Sequence, residues 1–208
     1  MSLSREELLN WAENRVVFGE GLDILKNDCE MIVFMLDHCE IKIPEQNRFF
    51  VKVNCAGISN LVIKKRKRIL SGLLEKSGLG EGVKALAYTG DCDYSHTTAE
   101  WESVITLGIY GLRNRIAEYA QDHIADEKAK GFYEQILSVY DAALRFMKRA
   151  ADQAALSGRA EMANALLNLI EGGPSNLFEA LQTSIIYYYL QHFFDGTCLR
   201  TLGRLDKL

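Results

Sequence analysis

The 208-residue chain is predicted to be mainly α, a multi-helix bundle with at most one or two short strands, on three observations. From Thr97 onward, apolar residues recur at three- and four-residue steps, the repeat that gathers them on one helix face. At two places a hydroxyl residue is followed three positions later by glutamate, the spacing of a capping box at a helix start. Only 2 prolines, Pro44 and Pro174, interrupt the chain, so long stretches hold no helix breaker. The reading is one helical domain over 1–208, subdivided into an irregular helical part with a short strand over 1–96 and a long-helix bundle over 97–208.

Ser4 and Glu7 form the first capping box, and a helix is expected from there to about Val17. A second helix is expected from about Gly21 to His38, with Ile24, Leu25, Met31, Val33 and Phe34 as its apolar surface. Residues 41–44 should be extended, because the residue before a proline avoids helical angles. The β-prone run 48–53 is the best strand in the chain. Residues 61–75 carry the basic run Lys64-Lys65-Arg66-Lys67-Arg68 among apolar neighbours. A nuclear address or phosphate patch is conceivable there, but in an acidic chain the run reads as a solvated helix face. Residues 78–90 are a glycine-rich loop without the G-x-G-x-x-G spacing of a phosphate cradle.

Thr97 and Glu100 form the second capping box, and Trp101, Val104, Ile105, Gly108, Leu112, Ile116 and Tyr119 the stripe behind it. Phe132, Ile136, Tyr140, Ala143, Leu144, Met147 and Ala151 mark the next long helix, which Gly158 breaks. A third helix follows over 159–171. The Gly172-Gly173-Pro174 run stops it, and Ser175 should cap a last helix to about Phe194. That helix is apolar round much of its circumference and calls for burial on more than one side.

Composition removes several function classes. With 24 basic against 28 acidic residues the net charge is -4, unsuited to a general nucleic-acid binder, whose phosphate contacts need clustered Lys and Arg. The most apolar stretch, 177–194, contains Glu179, Gln182 and Gln191 and falls short of the roughly 20 apolar residues of a membrane span. The 5 cysteines, Cys29, Cys39, Cys55, Cys92 and Cys198, include no C-x-x-C pair, so a zinc site is not expected and a reducing cytoplasm fits. A di-iron carboxylate site needs Glu-x-x-His on a helix face. The residues three before His38, His96, His123 and His192 are Met35, Asp93, Ala120 and Tyr189, so that motif is absent. Tyr187-Tyr188-Tyr189, without a basic stripe beside it, reads as core and interface aromatics rather than a base-stacking platform. His96 has the one suggestive setting, between the polar loop 90–95 and a helix start. From the residues it reads as a side chain that satisfies loop carbonyls, with a hydrogen bond to a polar substrate as the alternative.

Several segments together resemble the pyruvate formate-lyase-like glycyl radical enzymes. Pro174 with Phe178-Glu179-Ala180-Leu181-Gln182 is similar to that family's P-x-x-x-F-x-E-A-L-Q motif with one gap residue, and Gly203-Arg204-Leu205-Asp206 to its G-R-[LM]-D-Q motif, with Lys207 in place of glutamine. His96-Thr97-Thr98-Ala99-Glu100-Trp101, followed by Leu107-Gly108, resembles G-H-T-x-P-D-Y…G, departing at Ala99, Glu100 and Trp101. Ile43-Pro44-Glu45 with Phe49-Phe50-Val51 is similar to I-P-x-x-E-L-I-V-G, with Lys52 for its glycine, and Arg149-Ala150-Ala151 to the family's R-A-A/E-L helix. The resemblance follows the order of these motifs over nearly the whole chain and corresponds to about the first quarter of a family member.

It implies outer N-terminal helices of the glycyl radical enzyme fold, and a substrate-binding His96, since in dehydratase-like members that histidine lies at the pocket. It also implies a dehydratase or lyase of a polyol or similar small polar compound. The family's catalytic glycine and cysteine belong to later segments, so no residue here is expected to be catalytic and no cofactor or metal is expected in this chain. For the full-length family, a radical-SAM activase installs the glycyl radical. The expected partners are a second copy of the chain and the rest of such an enzyme, with no nucleic acid and no membrane, in the cytoplasm. The alternative is a free-standing helical interaction or dimerisation module derived from that family.

Overall fold

The computed structural model describes residues 2–15, 22–43, 45–49, 72, 75–78 and 99–195. They form six principal helices: α1 (Arg5–Glu13), α2 (Leu22–His38), α3 (Trp101–Asp122), α4 (Glu127–Leu156), α5 (Ala160–Glu171) and α6 (Leu177–Asp195). Among the described residues there is no β-strand; an isolated parallel bridge joins Leu3 and Cys39. The mainly α class expected from the periodicity is the observed one. Of the expected strand 48–53, Arg48 and Phe49 form a bend and the remainder lies outside the described residues, as do the basic run and all but Gly78 of the expected glycine-rich loop 78–90.

The first capping box forms in full. Ser4 Oγ accepts from the Glu7 N–H at 3.3 Å, and the Ser4 N–H donates to Glu7 Oε2 at 2.7 Å. The helix stops four residues sooner than expected, because Asn14 takes the C-cap and its side-chain amide donates to Asn10 O at 2.8 Å.

α4 is the axis of the bundle, packing on α2, α3 and α5, while α6 lies against α3 and α5. Its buried stripe is Val139, Ala142, Ala143, Phe146, Met147, Ala150, Ala151 and Ala154. The stripe anticipated from the large residues is rotated from this: Phe132 is exposed and Ile136, Tyr140 and Leu144 are half-buried. Alanine explains the rotation. Ala142, Ala150 and Ala154 are wholly buried because a methyl group lets neighbouring helices approach the α4 backbone closely, so small residues mark the contact.

Arginines on α4 and just beyond it bind the segment after α2 to the bundle. Arg145 grips Asp37 through two hydrogen bonds of 2.9 and 2.8 Å. Arg149, from the family-like R-A-A run, donates to Leu36 O at 2.6 Å and to Cys39 O, satisfying carbonyls that the end of α2 leaves open. Arg159 donates to the carbonyls of Glu45 and Asn47. No described helix is long and apolar enough to cross a membrane.

Candidate functional site

His96 lies outside the described residues, so the site is built from what flanks it in sequence and what packs there. The chain is described again from Ala99, and the start of α3 departs from expectation. Glu100, not Thr97, is the N-cap: its carboxylate accepts from the N–H groups of Glu102 at 3.2 Å and Ser103 at 2.8 Å. Hydrogen bonds from Ser103 hold the Glu100 carboxyl below the usual carboxylate range. An acidic cap competes well here because a full charge meets the positive end of the helix. Trp101 follows at once and is buried, its ring edge-on to Tyr187 of α6 at 5.9 Å. Two consecutive residues thus fix the backbone four and five positions after His96.

Two turns further on, α3 is broken. Gly108 has φ 65° and ψ -176°, angles that only glycine adopts readily, so the helix runs across a kink. This accounts for the change of stripe: Trp101 and Val104 are buried before the kink and Ile109 and Leu112 after it, whereas Ile105 is half-buried and Tyr119 exposed. The Gly172-Gly173-Pro174 turn packs against the break. A Cβ on Gly108 would stand 3.3 Å from Pro174 Cδ, and one on Gly173 only 2.7 Å from Thr106 O. The Leu107-Gly108 and Pro174-Phe178-Glu179 motifs, 66 positions apart by their glycine and proline numbers (174 − 108), therefore meet backbone to backbone.

The start of α6 is held by Glu179. Asn176, not Ser175, is its cap, with Oδ1 accepting from the Glu179 N–H at 3.0 Å. Ser175 plays the reciprocal part: its N–H and hydroxyl both donate to Glu179 Oε2, at 2.8 and 2.7 Å. Asn168 of α5 donates to Oε1 at 2.8 Å. The side chain is 2 % exposed. Burial by itself would raise its pKa, but the hydrogen bonds from Asn168, Ser175 and Asn176 outweigh it and the pKa lies below the ordinary value. Glu179 is the carboxylate of the E-A-L-Q motif. Gln182, Thr183 and Ser184 beside it are buried as well, so α6 turns its polar run inward. Sequence periodicity missed this because it assigns polar residues to the solvent face. Leu181, Ile185, Tyr188 and Tyr189 are half-buried and Leu177 is exposed.

Tyr140 of α4 and Tyr187 complete the neighbourhood, and burial, followed by the adjacent Tyr187, pushes the Tyr140 phenol well above its ordinary range. Two of the cysteines are among the described residues. Cys29 is buried, and that burial, followed by the charges of Asp28 and Glu30, pushes its thiol up to about 11. Cys39 is buried at the end of α2 with its thiol against Leu36 O. Cys55, Cys92 and Cys198 lie outside the described residues. Among the described residues no three of His, Cys, Asp and Glu gather as metal ligands.

The family described as Pyruvate formate lyase-like matches residues 82–208. No curated protein matches the chain. Among solved structures, the glycerol-bound B12-independent glycerol dehydratase from Clostridium butyricum is similar over 98% of this chain and 33% of its own, with a TM-score of 0.70 at 15% identity. A glycyl radical enzyme from Archaeoglobus fulgidus is similar over 99% and 34%, with a TM-score of 0.69 at 12% identity. A structure from Roseburia inulinivorans concerned with 1,2-propanediol dehydration is similar over 93% and 31%, with a TM-score of 0.61 at 15% identity. At these identities the likeness is one of fold. The chain spans about a third of the length of each of these proteins.

Proposed function

The chain belongs to the pyruvate formate lyase-like family, and on that premise we propose that it is the N-terminal helical part of a glycyl radical dehydratase or lyase acting on a small polar substrate. The observation that carries this reading is the match over 82–208, which takes in both motifs that meet at Gly108 and Pro174. Two of the similar folds belong to a glycerol dehydratase and to a protein of 1,2-propanediol dehydration, which supports a small polyol as the substrate class.

In this reading the chain contributes shape and hydrogen bonding. His96 offers a neutral imidazole to a substrate hydroxyl, and the Glu100 cap and buried Trp101 hold the chain after it in place. The radical, installed on a glycine by a radical-SAM activase, would supply hydrogen-atom abstraction. By the family resemblance, the catalytic glycine and the thiol it acts on belong to later segments, so activity requires the rest of the family fold. The reading places the protein in the cytoplasm.

Titration of the full chain with glycerol and with 1,2-propanediol, followed through its backbone amide signals in ¹⁵N NMR, tests the site. The expected result is saturable binding that His96→Ala weakens about tenfold, the size of one lost hydrogen bond. Equal binding by the variant counts against His96. With the activase added, the chain by itself should show no dehydration of either polyol, and turnover would sink the claim of incompleteness.

We also propose self-association through α6, whose Leu181, Ile185, Tyr188 and Tyr189 remain half-buried beside an exposed Leu177. Sedimentation equilibrium should then give a dimer mass at tens of micromolar. A clean monomer at high micromolar concentration would remove this proposal and leave the family reading intact.

A further inference from the structure

Among the described residues, three side-chain polar atoms are buried without a hydrogen-bond partner: Trp101 Nε1, Thr183 Oγ1 and Gln191 Oε1. Trp101 is 5 % and Thr183 1 % exposed. Folded proteins rarely leave such atoms dry, because each has given up water and received nothing in return. Sequence spacing and one ring contact set the three along one side of α6. Thr183, Tyr187 and Gln191 follow one another at four-residue steps along α6, a spacing that stacks side chains on the same helix face. Trp101, at the start of α3, meets the ring of the middle one, Tyr187, edge-on.

The chemistry of the three atoms selects the occupant. An indole N–H only donates, an amide oxygen only accepts, and a hydroxyl does both. The side chains packed with Trp101 include Val104, Leu107, Leu112, Tyr140 and Tyr188, all uncharged, and Arg115, whose charge reaches Tyr140, is already engaged by Ser103 and the Glu100 carboxylate. The distance from residue 183 to residue 191 along a helix axis is about 12 Å, too far for one molecule to serve both ends. Water accepts from the indole, donates to the amide oxygen, and links to further water between them.

We propose that the α3–α6 seam is a binding site for a short file of water molecules, held by Trp101 Nε1, Thr183 Oγ1 and Gln191 Oε1 as it passes Tyr187. The proposal is independent of the substrate reading, since none of its residues is assigned a role there beyond the packing of Trp101.

The chain has only 2 tryptophans, so its indole protons can be assigned individually. With ¹⁵N-tryptophan in the full chain, and Trp11→Phe to assign the signals, the Trp101 indole proton should show a water cross-peak of the sign that marks long residence. Thr183→Val, which keeps the side chain's shape, should weaken that cross-peak at least twofold and lower Tm. No water cross-peak at Trp101 in the unaltered chain overturns the proposal. So does an unchanged or higher Tm in Thr183→Val, because replacing a dry, unpartnered hydroxyl with a methyl stabilises a core.

Discussion

Gly173→Ala should cost the fold about 3 kcal/mol, which for a chain of this size lowers Tm by roughly 6–12 °C in a thermal melt. The added methyl would stand 2.7 Å from Thr106 O and 3.3 Å from Leu107 O. Both obstacles are backbone atoms, so no side-chain rotation relieves them, and the Gly172-Gly173-Pro174 turn must move off α3. Gly108→Ala should cost a similar amount for a different reason. Its φ of 65° with ψ near 180° strains any L-residue by about 1–3 kcal/mol, and its methyl also presses on Pro174 Cδ at 3.3 Å. Because both substitutions prise apart the same contact, the double variant should lose less than the two single losses added together. Gly158→Ala is the control: its φ is +70° but a methyl there meets nothing within 4 Å, so only the conformational cost of about 1 kcal/mol should appear. Equal losses at Gly158 and Gly173 would mean that the close approach of the turn to α3 contributes nothing.

The contact between Gly108 and Pro174 also marks how far the sequence could be read. Helices were legible wherever large apolar residues followed the helical repeat between strong stop signals, as at Gly158 and the Gly172-Gly173-Pro174 run. Caps were half legible. Ser4 and Glu7 behave as their spacing suggests, whereas at α3 and α6 the residue next to the helix, Glu100 or Asn176, displaces the expected Thr97 or Ser175. Choosing between neighbouring oxygen-bearing side chains depends on where the backbone leaves the helix, which is set by tertiary contacts such as the burial of Trp101. Gly108 read as a small residue on an apolar stripe, because a kink imposed by a turn from 66 positions away has no local signature. The resemblance singled out Glu179 and Gln182, yet periodicity alone would have turned them to solvent. His96, the one candidate substrate residue, lies outside the described residues, so its part rests on the motif.

Glu179→Ala should be more damaging than a typical large-to-small change, costing about 3–5 kcal/mol. The carboxylate receives hydrogen bonds from Asn168 Nδ2, the Ser175 N–H and the Ser175 hydroxyl in a site 2 % exposed, so its removal strands several donors where water scarcely reaches. It also unties α5 from the start of α6, and with it the turn that rests on Gly108. Glu179→Gln separates shape from charge. The amide fits the space, but its NH₂ must face either Asn168 or Ser175, donor against donor, so about half the loss should remain. The dependence on pH follows from the direction of the shift. Hydrogen bonds hold the folded-state pKa below that of the unfolded chain, so the unfolded state binds its proton first as acid is added. The stabilisation is therefore complete above the ordinary carboxylate range and is lost as pH falls through that range toward the lowered value. Urea midpoints measured from pH 7 down through the carboxylate range should fall more steeply for the unaltered chain than for Glu179→Gln, which has no proton to gain there. Parallel curves for the two proteins would mean that Glu179 is not held ionised in the folded chain, and the cage of donors around it would then need another explanation.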